Sequence, residues 1–265
     1  MSFAGPVTRP DAPLARRNPV AKLAAGLALT LALFATLDPV TPGVAIVAEL
    51  TAVPFFGLRY RDLARRGWPI AVAAIGALVS LALFAADRSG PALLALGPLT
   101  VTGSVLYTAL GLSLRVVAIS IPGILIFATT DPTDLADALV QNVRAPARFA
   151  IGTLAAFRLL PLLGEEWRLL GLARRARGVD AGRNPLAALR IFASMAFALL
   201  VGAIRRGTRL ASAMDARGFD SGVPRTSARV QRFGRPDAAL IAGAIAVAAL
   251  ALAISIHQRT FVPLL

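Results

Sequence analysis

A three-residue string that could bind anionic or carbonyl groups occurs twice in the sequence. Each copy places an arginine between an alanine and a glycine, and the two arginines are 40 residues apart. The copies are Ala176-Arg177-Gly178 and Ala216-Arg217-Gly218. A guanidinium is planar and always charged, and its fork of N–H donors fits carboxylate and carbonyl oxygens. The pattern therefore places a guanidinium between two small residues at two positions of the chain.

The same strings have a simpler interpretation as ordinary helix ends. A glycine just past the last turn commonly adopts the left-handed conformation that caps a helix, and the helix dipole favours arginine in the last turn. The copies continue as Val179-Asp180 and Phe219-Asp220. Two copies within one basic region favour the binding interpretation over two unrelated helix ends.

A second candidate for chemistry is the acidic string that contains Asp131, Asp134 and Asp137. Asp131 is a good helix N-cap, Pro132 suits the first helical position, and Asp134 stands where a capping acid would. The alternative is a magnesium–diphosphate site of a membrane transferase. Such enzymes pair two acid-rich motifs, and the sequence holds one, so a structural role is favoured.

Glu49 and Arg115 are ionisable residues inside otherwise apolar stretches. Charged groups at membrane depth are costly and are functional candidates by default. Three hypotheses remain open for them. They pair with each other, the true membrane boundaries differ by about one turn, or they contribute to an interface with another membrane subunit.

Several classes of chemistry are excluded by composition. The chain has no cysteine, one histidine (His257) and one lysine (Lys22), which follows an alanine. Thiolate, cysteine-metal and histidine-cluster sites are therefore excluded, and no P-loop with its Gly-Lys-Ser/Thr is present. We expect no catalytic residues, no metal site and no cofactor, so any ATP-derived energy must come from partner subunits.

The elements that position these residues are predicted to be membrane helices. The chain has 265 residues, is 57% hydrophobic, has a mean hydropathy of +0.70 and carries a net charge of +14. The sequence has only two tyrosines and two tryptophans, whereas nucleic-acid binding typically uses exposed aromatic side chains. Binding to anionic lipid headgroups and acidic partner proteins therefore explains the basic charge better than binding to nucleic acid. We predict an all-α polytopic membrane protein with about five spans. The spans are 20–37, 43–58, 69–86, 99–130 and 238–256.

A basic segment separates the fourth and fifth spans. Residues 131–235 contain 17 arginines and 8 acidic residues, with leucines at helical spacing. Residues 59–66 carry four arginines, whereas 37–43 carry none and 87–103 carry Arg88 alone. The positive-inside rule then places the N-terminus (with Arg9) and 131–235 in the cytoplasm, and the C-terminus outside. The predicted domains are a membrane domain at 1–130, cytoplasmic helices at 131–235, and a last span with its tail at 236–265.

Taken in order, the motifs resemble the transmembrane T component of energy-coupling-factor transporters. The resemblance covers nearly the whole chain. It rests on Asn-Pro-Val-Ala-Lys-Leu at 18–23, Thr-Thr-Asp-Pro-Thr-Asp-Leu-Ala-Asp-Ala-Leu at 129–139, Phe-Arg-Leu-Leu-Pro-Leu-Leu at 157–163 with Glu165 and Glu166, and both Ala-Arg-Gly strings.

The resemblance implies a non-catalytic coupling subunit of an ATP-driven importer. Its partners would be two ATP-binding cassette ATPases, a substrate-binding S component and membrane lipid. Arg177 would anchor in one ATPase and Arg217 in the other, and the cargo would be a vitamin or a transition-metal ion. Two alternatives remain open: a membrane prenyl or phosphatidyl transferase using Asp131, Asp134 and Asp137 with magnesium, and a scaffold whose arginines bind anionic lipid.

Overall fold

The computed structural model describes residues 11–84, 92–96, 99–219, 227 and 229–261. Three residues used in the charge and motif arguments, Arg9, Arg88 and Asp220, lie outside this set, as do positions 85–86 at the end of the predicted third span. In chain order the elements are α1 (Pro19–Phe34), α2 (Val40–Ala52), a 3-10 turn (Val53–Phe56), α3 (Tyr60–Phe84), β1 (Ala92–Leu96), β2 (Leu99–Thr102), α4 (Gly103–Thr129), α5 (Pro132–Asn142), α6 (Ala147–Ala176), α7 (Pro185–Ala216) and α8 (Arg235–His257).

This architecture confirms the predicted all-α polytopic membrane fold, with one addition. Strands β1 and β2 form a small antiparallel ribbon that pairs Leu96 with Leu99 and Ala92 with Thr102. The fourth span was predicted to begin at residue 99, but residues 99–102 are extended and the helix begins at Gly103. Hydropathy alone could not distinguish the strand at 99–102 from the helix that follows it, because short apolar runs suit strands and helices equally well.

The long apolar helices are not the predicted set. Five described helices are long and apolar enough to cross a membrane: α3, α4, α6, α7 and α8. Helix α1 has 16 residues, which gives a length of about 24 Å, shorter than a bilayer core of about 30 Å. Helix α2 with its 3-10 turn is similarly short. The predicted first and second spans are therefore short helices, and α6 and α7 meet the same length and hydropathy criterion as α3, α4 and α8.

The arginine-rich loop predicted at 59–66 is also largely helical. Helix α3 begins at Tyr60, so Arg61, Arg65 and Arg66 occupy its first two turns. Asp62 lies in the same first turn, where a negative charge favours the helix N-terminus. The basic cluster remains at one end of α3, so the charge argument for its side of the membrane does not depend on a loop.

The described helices group into two compact units. The first comprises residues up to 143 together with 231 onward, and the second comprises 144–230. Helix α5 belongs to the first unit, whereas α6 and α7 form the second.

In the first unit, α1 packs against α8, and α4 packs against α1, α2 and α3. One apolar cluster joins the 3-10 turn to α4 through Val53, Phe56 and Leu125. Close approach is required at Gly111, because a Cβ there would lie 2.8 Å from the carbonyl oxygen of Leu37. The loop between α1 and α2 therefore rests directly on α4.

A buried carboxylate joins the beginnings of the first and last helices. One Asp237 oxygen accepts from the backbone N–H of Asn18 at 2.8 Å, and the other accepts from the N–H of Gly234 at 2.9 Å. The Asn18 side chain in turn caps α1 by accepting from the N–H of Val20 at 2.9 Å. Asn18 and Asp237 are each only 6% exposed. The Asn-Pro string at 18–19 thus has a definite role, which is to begin α1 and attach it to α8.

Lys22 is buried beside this junction. Its ammonium donates to the carbonyl oxygens of Ala15 at 2.7 Å and Thr129 at 2.9 Å. It lies 3.2 Å from the hydroxyl of Thr129 as well. The single lysine of the chain therefore holds the N-terminal segment against the end of α4. These hydrogen bonds compensate the free-energy cost of burying its ammonium charge.

A polar cluster surrounds Asp38 in the loop between α1 and α2. The hydroxyls of Thr36 and Thr41 donate to its carboxylate at 2.6 and 2.9 Å, and the N–H of Thr41 donates at 3.0 Å. Burial alone would raise the pKa of Asp38, but these hydrogen bonds outweigh burial and hold the pKa below its usual value. Asp38 is therefore ionised, and its charge attracts Arg115 on α4.

Candidate functional site

The two Ala-Arg-Gly strings end helices α6 and α7 with the same backbone geometry. Arg177 and Arg217 are the C-cap residues, with φ/ψ of −92°/10° and −91°/12°. The glycines that follow, Gly178 and Gly218, have φ of 73° and 70°. This left-handed conformation favours glycine over residues that carry a Cβ.

The hydrogen bonds at both ends follow the Schellman pattern. The N–H of Gly178 bonds the carbonyl of Arg175 at 2.9 Å, and the N–H of Val179 bonds the carbonyl of Arg174 at 3.0 Å. Gly218 and Phe219 make the equivalent bonds at 2.9 and 3.0 Å. The helix-end interpretation is therefore confirmed, and it explains the glycines. It leaves the arginine side chains unassigned.

Both arginine side chains are free to bind another molecule. Arg177 and Arg217 are exposed, as are the alanine and glycine on either side of each. Within the described parts of the chain, neither guanidinium has a hydrogen bond or an ion pair. Each helix thus ends in a narrow tip that carries one unpaired fork of donors.

The structure keeps the two tips apart rather than bringing them together. Helix α7 returns along α6, so that Arg174 near the end of α6 contacts Ile191 and Ser194 near the beginning of α7. Arg217 lies 26 residues beyond Ile191, which corresponds to about 40 Å of helix. One binding pocket cannot hold both arginines. Two separate binding surfaces can.

An ion pair joins α6 to α7 between the tips. Both terminal nitrogens of Arg206 donate to the carboxylate of Glu166, with Arg206 Nη2 2.6 Å from Glu166 Oε2. This paired geometry is the most directional that arginine makes with a carboxylate. Glu166 and Arg206 each lie eleven residues before a tip arginine, at 177 and 217. That equal spacing is a signal in the sequence that motif reasoning missed.

Aromatic and apolar contacts complete the α6–α7 junction, yet most of the apolar surface stays uncovered. The rings of Trp167 and Phe192 meet edge to face with centroids 5.1 Å apart. Among the described residues of the second unit, the only buried apolar side chains are Ala150 and Met195. Large exposed apolar side chains occur along both helices, and they include Leu160, Leu169, Leu186, Leu189, Phe197 and Leu200. The second unit, described by itself, presents more apolar surface than a water-exposed pair of helices would.

The hypothesis that Glu49 pairs with Arg115 is wrong. Neither carboxylate oxygen of Glu49 has a hydrogen-bond partner in the described residues, although Glu49 is only 4% exposed. The Nε and Nη2 atoms of Arg115 likewise have no hydrogen-bond partner among the described residues, and the favourable charge acting on this guanidinium comes from Asp38. Both residues lie inside helices, Glu49 one turn before the end of α2 and Arg115 in the middle of α4.

The acidic string at 131–137 forms the beginning of α5. Asp131 is the N-cap and accepts from the N–H of Thr133 at 2.7 Å, while Asp134 accepts from Gln231 at 3.4 Å. These contacts confirm the structural role predicted for Asp131. Among the described residues, no group of three or more acidic or histidine side chains is arranged to hold a metal ion. Nothing in this region supports the magnesium-dependent transferase.

Comparison with known proteins gives a family for the chain. A family model described as CbiQ, cobalt transport protein, matches residues 11–228, which is most of the sequence. This range includes the two Ala-Arg-Gly strings and the Glu166–Arg206 pair.

Three relatives illustrate the similarity. The energy-coupling factor transporter transmembrane protein EcfT of Heliobacterium modesticaldum is 30% identical, over 83% of this chain and 84% of its own length. The protein of the same name from Leuconostoc gelidum is 29% identical over 58% of this chain, and the match spans 61% of its length. An ABC transporter ATP-binding protein of Bifidobacterium longum is 25% identical over 87% of this chain and 30% of its own length. The chain therefore belongs to the CbiQ/EcfT family, the transmembrane T components of energy-coupling factor transporters.

Proposed function

We propose that this chain is the coupling subunit that transmits the motion of two ATPases to a substrate-binding membrane subunit during uptake of a vitamin or a transition-metal ion. One observation carries the proposal: two exposed arginine tips with matching caps, about 40 Å apart, belong to one helical pair. Arg177 binds one ATPase and Arg217 the other. Closure of the ATPases on ATP then moves the two helix ends relative to each other.

The relative from Bifidobacterium longum supports an ATPase as the partner. That protein is named as an ATP-binding protein of an ABC transporter, and 30% of its length is similar to 87% of this chain. A similarity of this extent within a longer ATP-binding protein is consistent with a functional association between the two kinds of polypeptide. In this assignment, ATP hydrolysis belongs to the partner subunits, and the chain described here contributes no catalytic residue.

The exposed apolar faces of α6 and α7 support a second partner. Apolar surface of this extent is stabilised by lipid or by another apolar protein surface. We assign part of it to the substrate-binding subunit and the remainder to the membrane, with the many arginines at the anionic lipid surface. The cargo itself is bound by that other subunit, so the residues of this chain do not select it.

The assignment is tested by purifying the chain from its native membranes through an affinity tag. We expect two ATP-binding cassette subunits and one small membrane protein to elute with it, and ligand released from that small protein identifies the cargo. Elution of the chain with no ATP-binding cassette protein, from membranes in which such proteins are detected, would contradict the proposal.

The proposed orientation gives a separate prediction. Residues 131–235 face the cytoplasm and the C-terminus faces outward. Because the chain has no cysteine, single-cysteine variants need no background substitutions. With a membrane-impermeant maleimide, Asp180→Cys reacts only after the cells are permeabilised, whereas Gln258→Cys reacts in intact cells. Labelling of Asp180→Cys in intact cells would overturn the orientation and with it the contact between Arg177 and an ATPase. The unsubstituted chain is the blank.

A further inference from the structure

The first unit contains a large cavity that the coupling function does not use. It has a volume of about 640 Å³ and is lined by α1, α2, α4 and α8, with the segment at 13–17 at one end. Cavities of about 300–1,000 Å³ are typical of sites that bind small molecules. Most of the wall is apolar and includes Leu29, Leu125, Ile126, Leu240 and Val247.

Glu49 lies in this wall without a partner. The residue is 96% buried within the chain, and both of its carboxylate oxygens lack a hydrogen bond among the described residues. An unpaired carboxylate in apolar surroundings is strongly disfavoured, so a donor from outside the chain would be bound well there. Any cation or N–H group that enters the cavity meets this carboxylate as its hydrogen-bond acceptor.

Positive charge lines the same cavity. Arg17 and Lys22 both contribute to its wall. The ammonium of Lys22 is already satisfied by Ala15 and Thr129, but Arg17 uses only its Nε, which donates to the carbonyl of Pro13 at 2.7 Å. Among the described residues, the terminal nitrogens of Arg17 are thus the donors left for an anion. The cavity offers one unpaired carboxylate, one guanidinium with unused donors and a long apolar wall.

We propose that the cavity binds a phospholipid whose headgroup carries a primary amine. The ammonium donates to Glu49, the phosphate accepts from Arg17, and an acyl chain lies along the apolar wall between α4 and α8. Both of those helices are long and apolar enough to cross a membrane. This site is independent of the ATPase-binding function assigned to α6 and α7.

The headgroup requirement can be tested on the unaltered full-length chain. Native mass spectrometry of the purified protein is carried out with dioleoyl phosphatidylethanolamine and dioleoyl phosphatidylcholine, which share the phosphate and both chains. We expect one phosphatidylethanolamine to bind about tenfold more tightly, because a choline has no N–H to donate to Glu49. Equal affinity for the two lipids, or no binding of either, would overturn the proposal. The latter result would leave the cavity to a helix of a partner subunit.

Substitutions separate the two halves of the site. Glu49→Leu, which has no acceptor, removes the preference for the ethanolamine lipid, whereas Arg17→Gln weakens both lipids about equally. Gly243→Leu fills the cavity and lowers the occupancy of both lipids, since a Cβ at Gly243 meets no atom within 4 Å and the backbone need not move. The control is Gly76→Leu on α3, where a Cβ also meets nothing within 4 Å but the residue is not part of the cavity wall. A Glu49→Leu protein that keeps the preference, or equal losses from Gly243→Leu and Gly76→Leu, would contradict the assignment.

Discussion

Replacing Arg177 and Arg217 together with glutamate abolishes association with the ATPases while membrane insertion is retained. Each guanidinium is unpaired in the described chain, so it is available to bond the floor of an ATPase groove. Removing one partner from a buried charged contact costs about 2–5 kcal/mol. Reversing the charge at both tips adds repulsion. The measurement is co-purification of the ATPases from membranes that contain equal amounts of the wild-type or variant chain.

The matched control for this double variant is Arg158→Glu with Arg190→Glu. Both arginines are exposed on the same two helices, and neither ends a helix. Because this variant also replaces two arginines with two glutamates, it changes the net charge of the chain by the same amount. We expect the control to retain both ATPases. Each single tip variant should lose one of the two binding sites and so weaken association without eliminating it. Full recovery of the ATPases with the double tip variant would show that the tips do not bind them.

Removing the ion pair between Glu166 and Arg206 lowers ATP-driven transport while ATPase binding persists. The pair joins the two helices about midway between the tips, so a displacement of one helix end is passed to the other helix through this contact. Substitutions along a coupling element change coupling by about 0.5–2 kcal/mol, which corresponds to a loss of transport between roughly twofold and thirtyfold in Glu166→Ala. Uptake by proteoliposomes that contain the whole complex measures the loss, and ATPase activity is followed in parallel.

Glu165→Ala is the control for the ion pair. Glu165 is the neighbouring residue, but it is exposed and bonds Arg168 within α6 at 2.9 Å, so it joins nothing to α7. We expect normal transport from that variant. Exchanging the charges in Glu166→Arg with Arg206→Glu should restore part of the transport lost by each single variant. Equal effects of Glu165→Ala and Glu166→Ala would indicate that the negative charge matters and the helix junction does not.

The sequence predicted the two helix ends at Arg177 and Arg217 better than it predicted the membrane boundaries. Glycine is favoured after Arg177 and Arg217 because the backbone is left-handed at the next residue. This requirement is local, so a string of three residues is enough to predict it. Helix lengths are different, since they depend on where the chain turns. Positions 99–102 and 60–66 were assigned wrongly because an apolar strand and a basic first turn have the same composition as a span and a loop.

Long-range pairings were the least predictable part. Asp38 bonds its neighbours Thr36 and Thr41 and attracts Arg115, so Glu49 has no ion partner among the described residues. Composition shows ionisable groups in apolar stretches, and the packing of the α1–α2 loop on Gly111 shows that Asp38 lies near the helix that carries Arg115. The Glu166–Arg206 pair is an exception, because its eleven-residue offset from each tip makes it visible in hindsight.

The bond between Asn18 and Asp237 has a consequence for how the protein is made. It joins residues 219 positions apart, and everything between them must be synthesised before it can form. At ribosomal speeds of about 5–20 residues per second, α1 waits roughly 10–40 s for α8 to emerge. During that interval the nascent chain exposes the α1 surface that α8 later covers, so a chaperone or insertase that shields this surface would raise the yield of native protein.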